Sequence, residues 1–507
     1  MNRRRTYKTI IITGLYTLIG LAMHFFLTPY IINNIGIEGN GFVTLSKTIT
    51  SYITIVSTAF NSFAARFIAI SYNQGQMKKY QSFCSTVFWG NVFLSLMVLI
   101  LGFLFSYFAD ILINIPDELI RDVKLLFLLT FLSFSVNLIS TVYSTTAYVK
   151  NRLDIANIIR VFAYLVEALI VLLLFCVFKP HIWYVSIATL LSYLCILFGF
   201  RNLTFKITPE FDVNPKNFSV RYLKDLFFNG IWNSLNSLGN TLNSGLDLLV
   251  SNLFLSVIGM GQIAIAKSFN TIMSATLSTM STPFQPVYIK MYAENKSENL
   301  ISEMCFSSKI CSMAICLIFS VFIAFGKDFF NLWIPGQDIN TIYWLCVITL
   351  LTCVIESPVF PFHYTYTLTL KNRFPCIITI VGGLFNVIGM YLLLKFTNLG
   401  VYSIVITTLV VMGVIELITN PIYISRCLKV NILRIYKQIF FSSIICIVEV
   451  VICLLFKIAV GKPSGWLSII TDGFFCVLIC SILTLPLVLG IKKIISFLNV
   501  LMAKIMT

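Results

Sequence analysis

Apolar windows follow one another along almost the whole chain, parted by short polar or basic breaks, and most are long enough to cross a bilayer as a helix. The pattern predicts about fourteen helices, over residues 8–32, 41–72, 81–108, 122–148, 153–178, 182–203, 223–256, 262–291, 302–325, 340–369, 374–395, 399–425, 436–457 and 467–495. The expected class is an all-α polytopic membrane protein.

The seventh window departs from the apolar rule. In FFNGIWNSLNSLGNTLNSGLDLLV, the residues Asn229, Asn233, Asn236, Asn240, Asn243 and Asp247 recur at spacings of four and three, which puts all six on one helical face. The row rises ~27 Å, close to the ~30 Å hydrocarbon thickness. Lipid offers an amide no partner, and an ionised Asp near mid-bilayer costs roughly 2.5 to 3.5 kcal/mol on insertion scales, so the row must face the bundle interior. Amides bonding across packed helices are one reading. The wall of a hydrophilic pathway is the other, and six amides in line favour it.

Composition agrees with the windows: of 507 residues, 58% are hydrophobic and only 11% charged, which excludes an ordinary soluble enzyme. The net charge of +16 does not indicate nucleic acid, because the basic residues sit in short loops. Placing both termini in the cytoplasm collects Arg3, Arg4, Arg5, Lys78, Lys79, Lys150, Arg152, Arg201, Lys206, Lys371, Arg373, Arg426 and Lys429 on the inner side, as the positive-inside rule expects. The basic start MNRRRTYK is followed by a run too long for a cleaved signal and reads as a retained first helix. The fourteen Cys form no legible metal or disulfide framework, with Cys476 and Cys480 simply neighbours on one helical face. Each of the three His lacks a ligand partner at helical spacing, no G-x-x-x-x-G-K-[ST] loop is present, and no long extramembrane segment could house a catalytic domain. These features point to transport rather than enzyme catalysis, with no cofactor.

An internal repeat organises the spans. Lys150-Asn151-Arg152 and Lys371-Asn372-Arg373 lie 221 residues apart (371 minus 150), and GNGFVTLSKTI resembles GMGQIAIAKSF, matching Lys47 to Lys267. Each copy holds six helices, so the copies share one orientation and a path is expected between them. The predicted division is a first lobe at 1–208, a second at 209–430 and an additional helix pair at 431–507. The amide helix opens the second lobe, and Tyr16 and His24 of the first helix supply the opposing wall. The segment from Lys206 to Arg221, with Pro209 and Pro215, is expected to be a cytoplasmic linker.

Several charged residues stand inside the windows. Lys47 and Lys267 occupy matching places in the two copies, which favours a shared role over snorkelling to the interface. Asp247 lies at similar depth and is a candidate ion-pair partner for Lys267. Arg160 and Glu167 share a helix face with Tyr164, and the second copy has Val381 and Ile388 there, so a requirement of the fold alone does not account for the pair. Glu356, Pro358, Pro361 and His363 fall within eight positions, a kink or a hinge. Arg66, Lys290 and Glu416 lie towards helix ends, where solvation at the interface is expected.

At the level of motifs, TPYIINNIGIEGNGFVTLSKTI, NSFAARFIAISYNQGQMKK and the paired KNR loops, on a plan of twelve helices plus two, resemble the polysaccharide transporters and O-antigen flippases of the multidrug, oligosaccharidyl-lipid and polysaccharide (MOP) exporter superfamily. Asn40-Gly41 stands where that family often has Tyr-Gly. The resemblance implies a MATE-like fold in a bacterial cytoplasmic membrane. It also implies alternating-access transfer of an undecaprenyl-pyrophosphate-linked oligosaccharide to the outer leaflet, for O-antigen, capsule or exopolysaccharide assembly. A polysaccharide polymerase and chain-length machinery become candidate partners. On this reading Lys47, Lys267 and Arg160 would attract the diphosphate and the Asn row would bond sugar hydroxyls, while Asp247, Glu167 and Glu356 are candidates for H⁺ or Na⁺ coupling. The alternatives are a cation-coupled drug exporter, whose first helix often carries an acid that is missing here, and a membrane-embedded glycan polymerase or ligase, which would need larger outer loops.

Overall fold

The computed structural model describes residues 3–150, 152–369, 371 and 373–489, and every regular element in them is helical. Eleven stretches are long and apolar enough to cross a membrane. The first, Phe25–Asn73, takes in parts of two helices, because Gly36 adopts φ 76° and ψ 170° and interrupts the helical run. Two more long helices, over residues 220–254 and 257–293, fall outside the eleven; the first carries the amide row. The result is fourteen long helices, the number the apolar windows predict.

We label them α1 (residues 3–35), α2 (37–73, interrupted at Ser62 and Phe63), α3 (Met77–Tyr107), α4 (Ile120–Val149), α5 (Leu153–Val177), α6 (Tyr184–Ile207) and α7 (Val220–Ser244 and Asp247–Phe254). They continue as α8 (Val257–Ser281 and Gln285–Ala293), α9 (Ser297–Trp333), α10 (Ile339–Glu356 and Tyr364–Leu368), α11 (Arg373–Phe396), α12 (Tyr402–Leu428), α13 (Leu433–Val460) and α14 (Trp466–Leu489). The chain divides into two compact units, Met1–Ala264 and Ile265–Thr507.

In the first unit α4 packs against both α3 and α6. At one end a core of Tyr80, Phe83, Tyr143, Phe200, Phe211 and Leu226 gathers α3, α4, α6, α7 and the segment between α6 and α7. That segment is fastened rather than loose. Ser82 Oγ donates to the Asn217 carbonyl at 2.7 Å, Ser85 Oγ to the Asp212 carbonyl at 3.2 Å and Trp89 Nε1 to the Val213 carbonyl at 2.9 Å. Its backbone polar groups therefore find partners on α3.

Helix α7 lies on α2 through Leu226, Gly230 and Ser234, a stripe of small residues and one Leu beside the amide row. A Cβ on Gly230 would run into the Ala59 carbonyl, and the Ser234 hydroxyl donates to the Ile55 carbonyl. Where α7 breaks at Gly245, the Tyr52 hydroxyl of α2 donates to the freed carbonyl at 2.7 Å.

In the second unit the 37-residue α9 packs against α10, α13 and α14. Lys457 of α13 ties to α9 through Asp328 Oδ2 and the Ala324 carbonyl, both at 2.6 Å. Helix α10 is interrupted after Glu356: Ser357, Pro358 and Val359 form a turn, a 3-10 turn follows over Phe360–His363, and Ser308 Oγ of α9 donates to the Pro358 carbonyl at 2.6 Å. Proline removes a donor and clashes with the preceding turn, and the α9 hydroxyl takes up one carbonyl left over. Helix α12 carries a π-helical turn at Ile415–Thr419.

Replacing Gly230 by Leu should force α7 off α2 at a cost of about 3 kcal/mol, seen as a lower midpoint in thermal unfolding of the detergent-solubilised protein. An unchanged midpoint would mean that this contact does not hold the helices together.

Candidate functional site

A cavity of about 660 Å³ opens within the first unit, between α1, α2, α4, α5 and α6. Eleven of its twenty-five lining residues are Ser or Thr. Helix α4 supplies the largest share by presenting Thr130, Ser133, Asn137, Ser140, Thr141 and Ser144 at spacings of three and four, one face of one helix. Most of these hydroxyls donate back to the carbonyl three or four residues earlier: Ser133 to Leu129 at 2.7 Å, Ser140 to Asn137 at 2.7 Å and Ser144 to Thr141 at 2.8 Å. With the proton committed to the backbone, what each oxygen still offers the cavity is lone pairs. Thr130 and Ser186 share a hydrogen bond of 2.8 Å and close the wall between α4 and α6.

Charge enters from α2 and α5. Lys47 is exposed to the cavity, and Arg160 and Glu167 line it from α5 with Tyr164 between them. Glu167 Oε1 accepts from Thr189 Oγ1 at 2.9 Å, and the Arg160 guanidinium lies 5.7 Å from the centre of the Phe200 ring. Gly20 of α1 leaves room for the Tyr164 ring, 3.2 Å from where a Cβ would stand. Neither Lys47 nor Arg160 forms an ion pair among the described residues, so the cavity carries two cations against one carboxylate. Hydrogen-bond acceptors around unneutralised cations suit a ligand that presents both hydroxyl donors and an anion.

The amides of α7 divide into two sets. Asn229, Asn233, Asn236 and Asn240 are exposed, whereas Asn243 and Asp247 are buried at 4% and 5% exposure. Asn229 Nδ2 donates to the Asp225 carbonyl at 2.6 Å and Asn243 Nδ2 to the Gly239 carbonyl at 3.0 Å. The contact with α2 is made by Gly230 and Ser234, a quarter turn from the row, and among the described residues no hydrogen bond from the four exposed amides joins α7 to α2. Lys267 is half-buried on α8 in the second unit. The side chains of Tyr16 and His24 lie outside the described residues.

A second polar group is buried in the second unit. His363 Nε2 lies 3.0 Å from Glu416 Oε2, Asn420 Nδ2 donates to Glu416 Oε1 at 3.0 Å, and Tyr366 Oη donates to Asn420 Oδ1 at 2.8 Å. Glu356 joins them, its carboxylate and the ligand atoms of His363 and Glu416 all within 4.8 Å of one another. The broken segment of α10 and the π turn of α12 set this geometry, each aiming a polar side chain into the gap left by irregular helix. The expectation that Glu416 is solvated at the interface is corrected: it is 3% exposed and bonded to His363 and Asn420, because the π turn rotates it inward. Pro358 and Pro361 do interrupt α10.

With this geometry in view, the comparisons with known proteins are informative. The chain matches the polysaccharide biosynthesis protein family over residues 6–291, more than half its length. It belongs to that family. Over 463 residues it is 26% identical to EpsK of Bacillus subtilis (strain 168), an uncharacterized membrane protein, with 90% of each chain covered. The lipid II flippase MurJ, in an inward closed conformation, superposes with a TM-score of 0.69 at 16% identity, over 95% of this chain and 99% of MurJ. An inward-facing multidrug resistance MATE transporter of the MOP superfamily superposes with a TM-score of 0.67 at 17% identity, over 82% of this chain and 96% of the transporter. At those identities the two structures share the fold with this chain. The family member is thus a multi-pass membrane protein with the fold seen in MATE transporters and MurJ.

Neither the hydroxyl face of α4 nor the partnership of Glu416 was singled out from sequence. The first has the same three-and-four spacing as the amide row and was open to the same test; the second joins residues 53 apart, and only packing brings them together.

Substituting Glu416 by Leu should destabilise the protein by about 3–5 kcal/mol, since it strands His363 and the Asn420 amide. The paired Glu416→Leu/His363→Leu variant should lose less than the sum of the single losses in thermal unfolding. Strict additivity would show that the two side chains do not interact.

Proposed function

We propose that this family member is a flippase that moves a polyprenyl-diphosphate-linked oligosaccharide from the cytoplasmic to the outer leaflet of a bacterial inner membrane, by alternating access, for surface polysaccharide assembly. The observation that carries the proposal is the cavity of the first unit, where Lys47 and Arg160 stand among eleven serine and threonine side chains. Two cations that have no ion-pair partner among the described residues attract a diphosphate strongly where lipid and protein keep the local dielectric low. The hydroxyl oxygens accept from sugar hydroxyls without demanding one stereochemistry. A volume of about 660 Å³ falls within the ~300–1,000 Å³ usual for small-ligand pockets, so this cavity suits the diphosphate and first sugars, with the rest of the chain outside it.

The remaining roles follow from the same reading. Lobes at 1–208 and 209–430 alternate in access around the path, with the pair at 431–507 beside them and both termini cytoplasmic. Lys267, Tyr16, His24 and the exposed amides Asn229, Asn233, Asn236 and Asn240, with Asn243 beyond them, extend the polar route. Pro358 and Pro361 provide the hinge. Glu356 couples transport to H⁺ or Na⁺ through the buried group with His363 and Glu416; Glu167 and Asp247 are the other acids available for coupling. The chemistry is binding and release, with no bond made or broken, and a polymerase with its chain-length partner would take up the product.

The test is complementation of a bacterial strain that has lost its own surface-polysaccharide flippase. Lys47→Ala/Arg160→Ala should lower surface polymer at least about tenfold, the equivalent of ~1.4 kcal/mol or more, with lipid-linked precursor accumulating and the protein still in the membrane. Normal surface polymer in that variant would reject the diphosphate role. Resistance to cationic drugs without any effect on the polymer would favour the drug-exporter reading instead.

Asn236→Leu/Asn240→Leu should also reduce surface polymer, several-fold, if the exposed amides line the route. Unchanged polymer would remove them from it.

A further inference from the structure

Three thiols meet between α13 and α14, the last two described helices. Cys453 of α13 and Cys476 and Cys480 of α14 are each 0% exposed, and their three Sγ atoms lie within 4.8 Å of one another. Cys453 Sγ stands 3.6 Å from Cys480 Sγ, and all three are free thiols. Around them are Ala324 and Phe325 of α9, with Leu317, Val321, Ile452 and Phe456 completing an apolar shell.

The spacing of the sulfurs bears on what this cluster does. A metal ion bound to sulfur at about 2.3 Å holds its ligand atoms ~3.8 to 4.0 Å apart, for tetrahedral and trigonal arrangements respectively. The cluster already has nearly that spacing, so small rotamer changes would complete it.

One turn before Cys453 on the same face stands Glu449, also 0% exposed, and among the described residues neither of its carboxylate oxygens accepts a hydrogen bond. The neighbouring Thr484 hydroxyl is committed to the Cys480 carbonyl at 2.8 Å. A buried carboxylate without a partner is costly. Three thiolates around one cation keep a net negative charge, so the ion does not relieve Glu449, and what favours binding is the spacing of the sulfurs.

We propose that Cys453, Cys476 and Cys480 form a closed site for one thiophilic metal ion of the Cu(I) or Zn(II) class, which pins α13 to α14. Soft sulfur ligands in an apolar shell disfavour Mg²⁺, Ca²⁺ and Na⁺, whose preferred ligands are oxygen. Each thiol that ligates gives up one proton to bulk solvent, so retention of the ion falls as pH is lowered. Burial of all three sulfurs makes the role structural, with loading expected to raise thermal stability by mass action. The site stands apart from the cavity of the first unit and does not depend on the flippase reading.

The experiment uses full-length protein purified in detergent, reduced and freed of metal. It is titrated with Cu(I) against a chromophoric Cu(I) chelator and, separately, with Zn(II) against a zinc-binding dye. One equivalent of at least one ion should be retained, X-ray absorption should show three sulfur neighbours at about 2.3 Å, and the unfolding midpoint should rise. Cys453→Ser and Cys480→Ser should each weaken retention ~10-fold or more, while Cys346→Ser, a buried thiol elsewhere in the second unit, should leave it unchanged. Equal retention by wild type and the Cys453→Ser/Cys476→Ser/Cys480→Ser variant would overturn the proposal. So would a wild-type spectrum with fewer than three sulfur neighbours, a reading that requires no variant to fold.

Discussion

Hydrocarbon cannot solvate a polar group, and that constraint accounts for the arrangement of almost every hydrophilic side chain in this protein. Fourteen long helices satisfy their own backbone internally, which leaves side chains and helix breaks to be settled by neighbours. Two of the breaks have a local answer: Tyr52 bonds the carbonyl freed at Gly245, and Ser308 bonds the carbonyl of Pro358. Two places bring several polar side chains together, the cavity of the first unit and the group around Glu416, and those are where function is to be sought.

The cavity of the first unit shows how such a place is built without many charges. Serine and threonine tolerate burial in a helix because the hydroxyl can donate to the preceding turn, and α4 uses that repeatedly along one face. The face remains wettable while the helix stays intact. Lys47 and Arg160 then act across a surface of oxygen lone pairs, with Glu167 held by Thr189. A family concerned with polysaccharide biosynthesis, on a fold shared with a lipid II flippase and multidrug transporters, gives that chemistry a context.

The second unit handles its polar groups differently. Glu416, His363, Asn420 and Tyr366 form a connected set in which each member satisfies another, with Glu356 beside it. Two irregular helices meet there, one broken by prolines and one carrying a π turn. Buried networks of this kind hold a unique arrangement when complete and respond sharply to gain or loss of a charge. The thiols of α13 and α14 are likewise brought together across two helices, in an apolar shell rather than a polar network.

What the sequence by itself determined is what depends on local periodicity: the all-helical membrane class, the number of long helices, the alignment of five Asn along one face of the first part of α7 and the interruption of α10 by Pro358 and Pro361. A period of 3.6 residues relates positions along one helix, so a stripe is legible without knowing what it faces. Only the tertiary structure decided which stripes meet. It set Gly230 and Ser234 against α2, a quarter turn from the amides, it turned Glu416 inward to His363, and it brought Cys453 to Cys480 across 27 positions of chain. Those meetings depend on how helices cross and rotate against one another, which is fixed by the sum of many small packing contacts along their length and is written in no single stretch of residues.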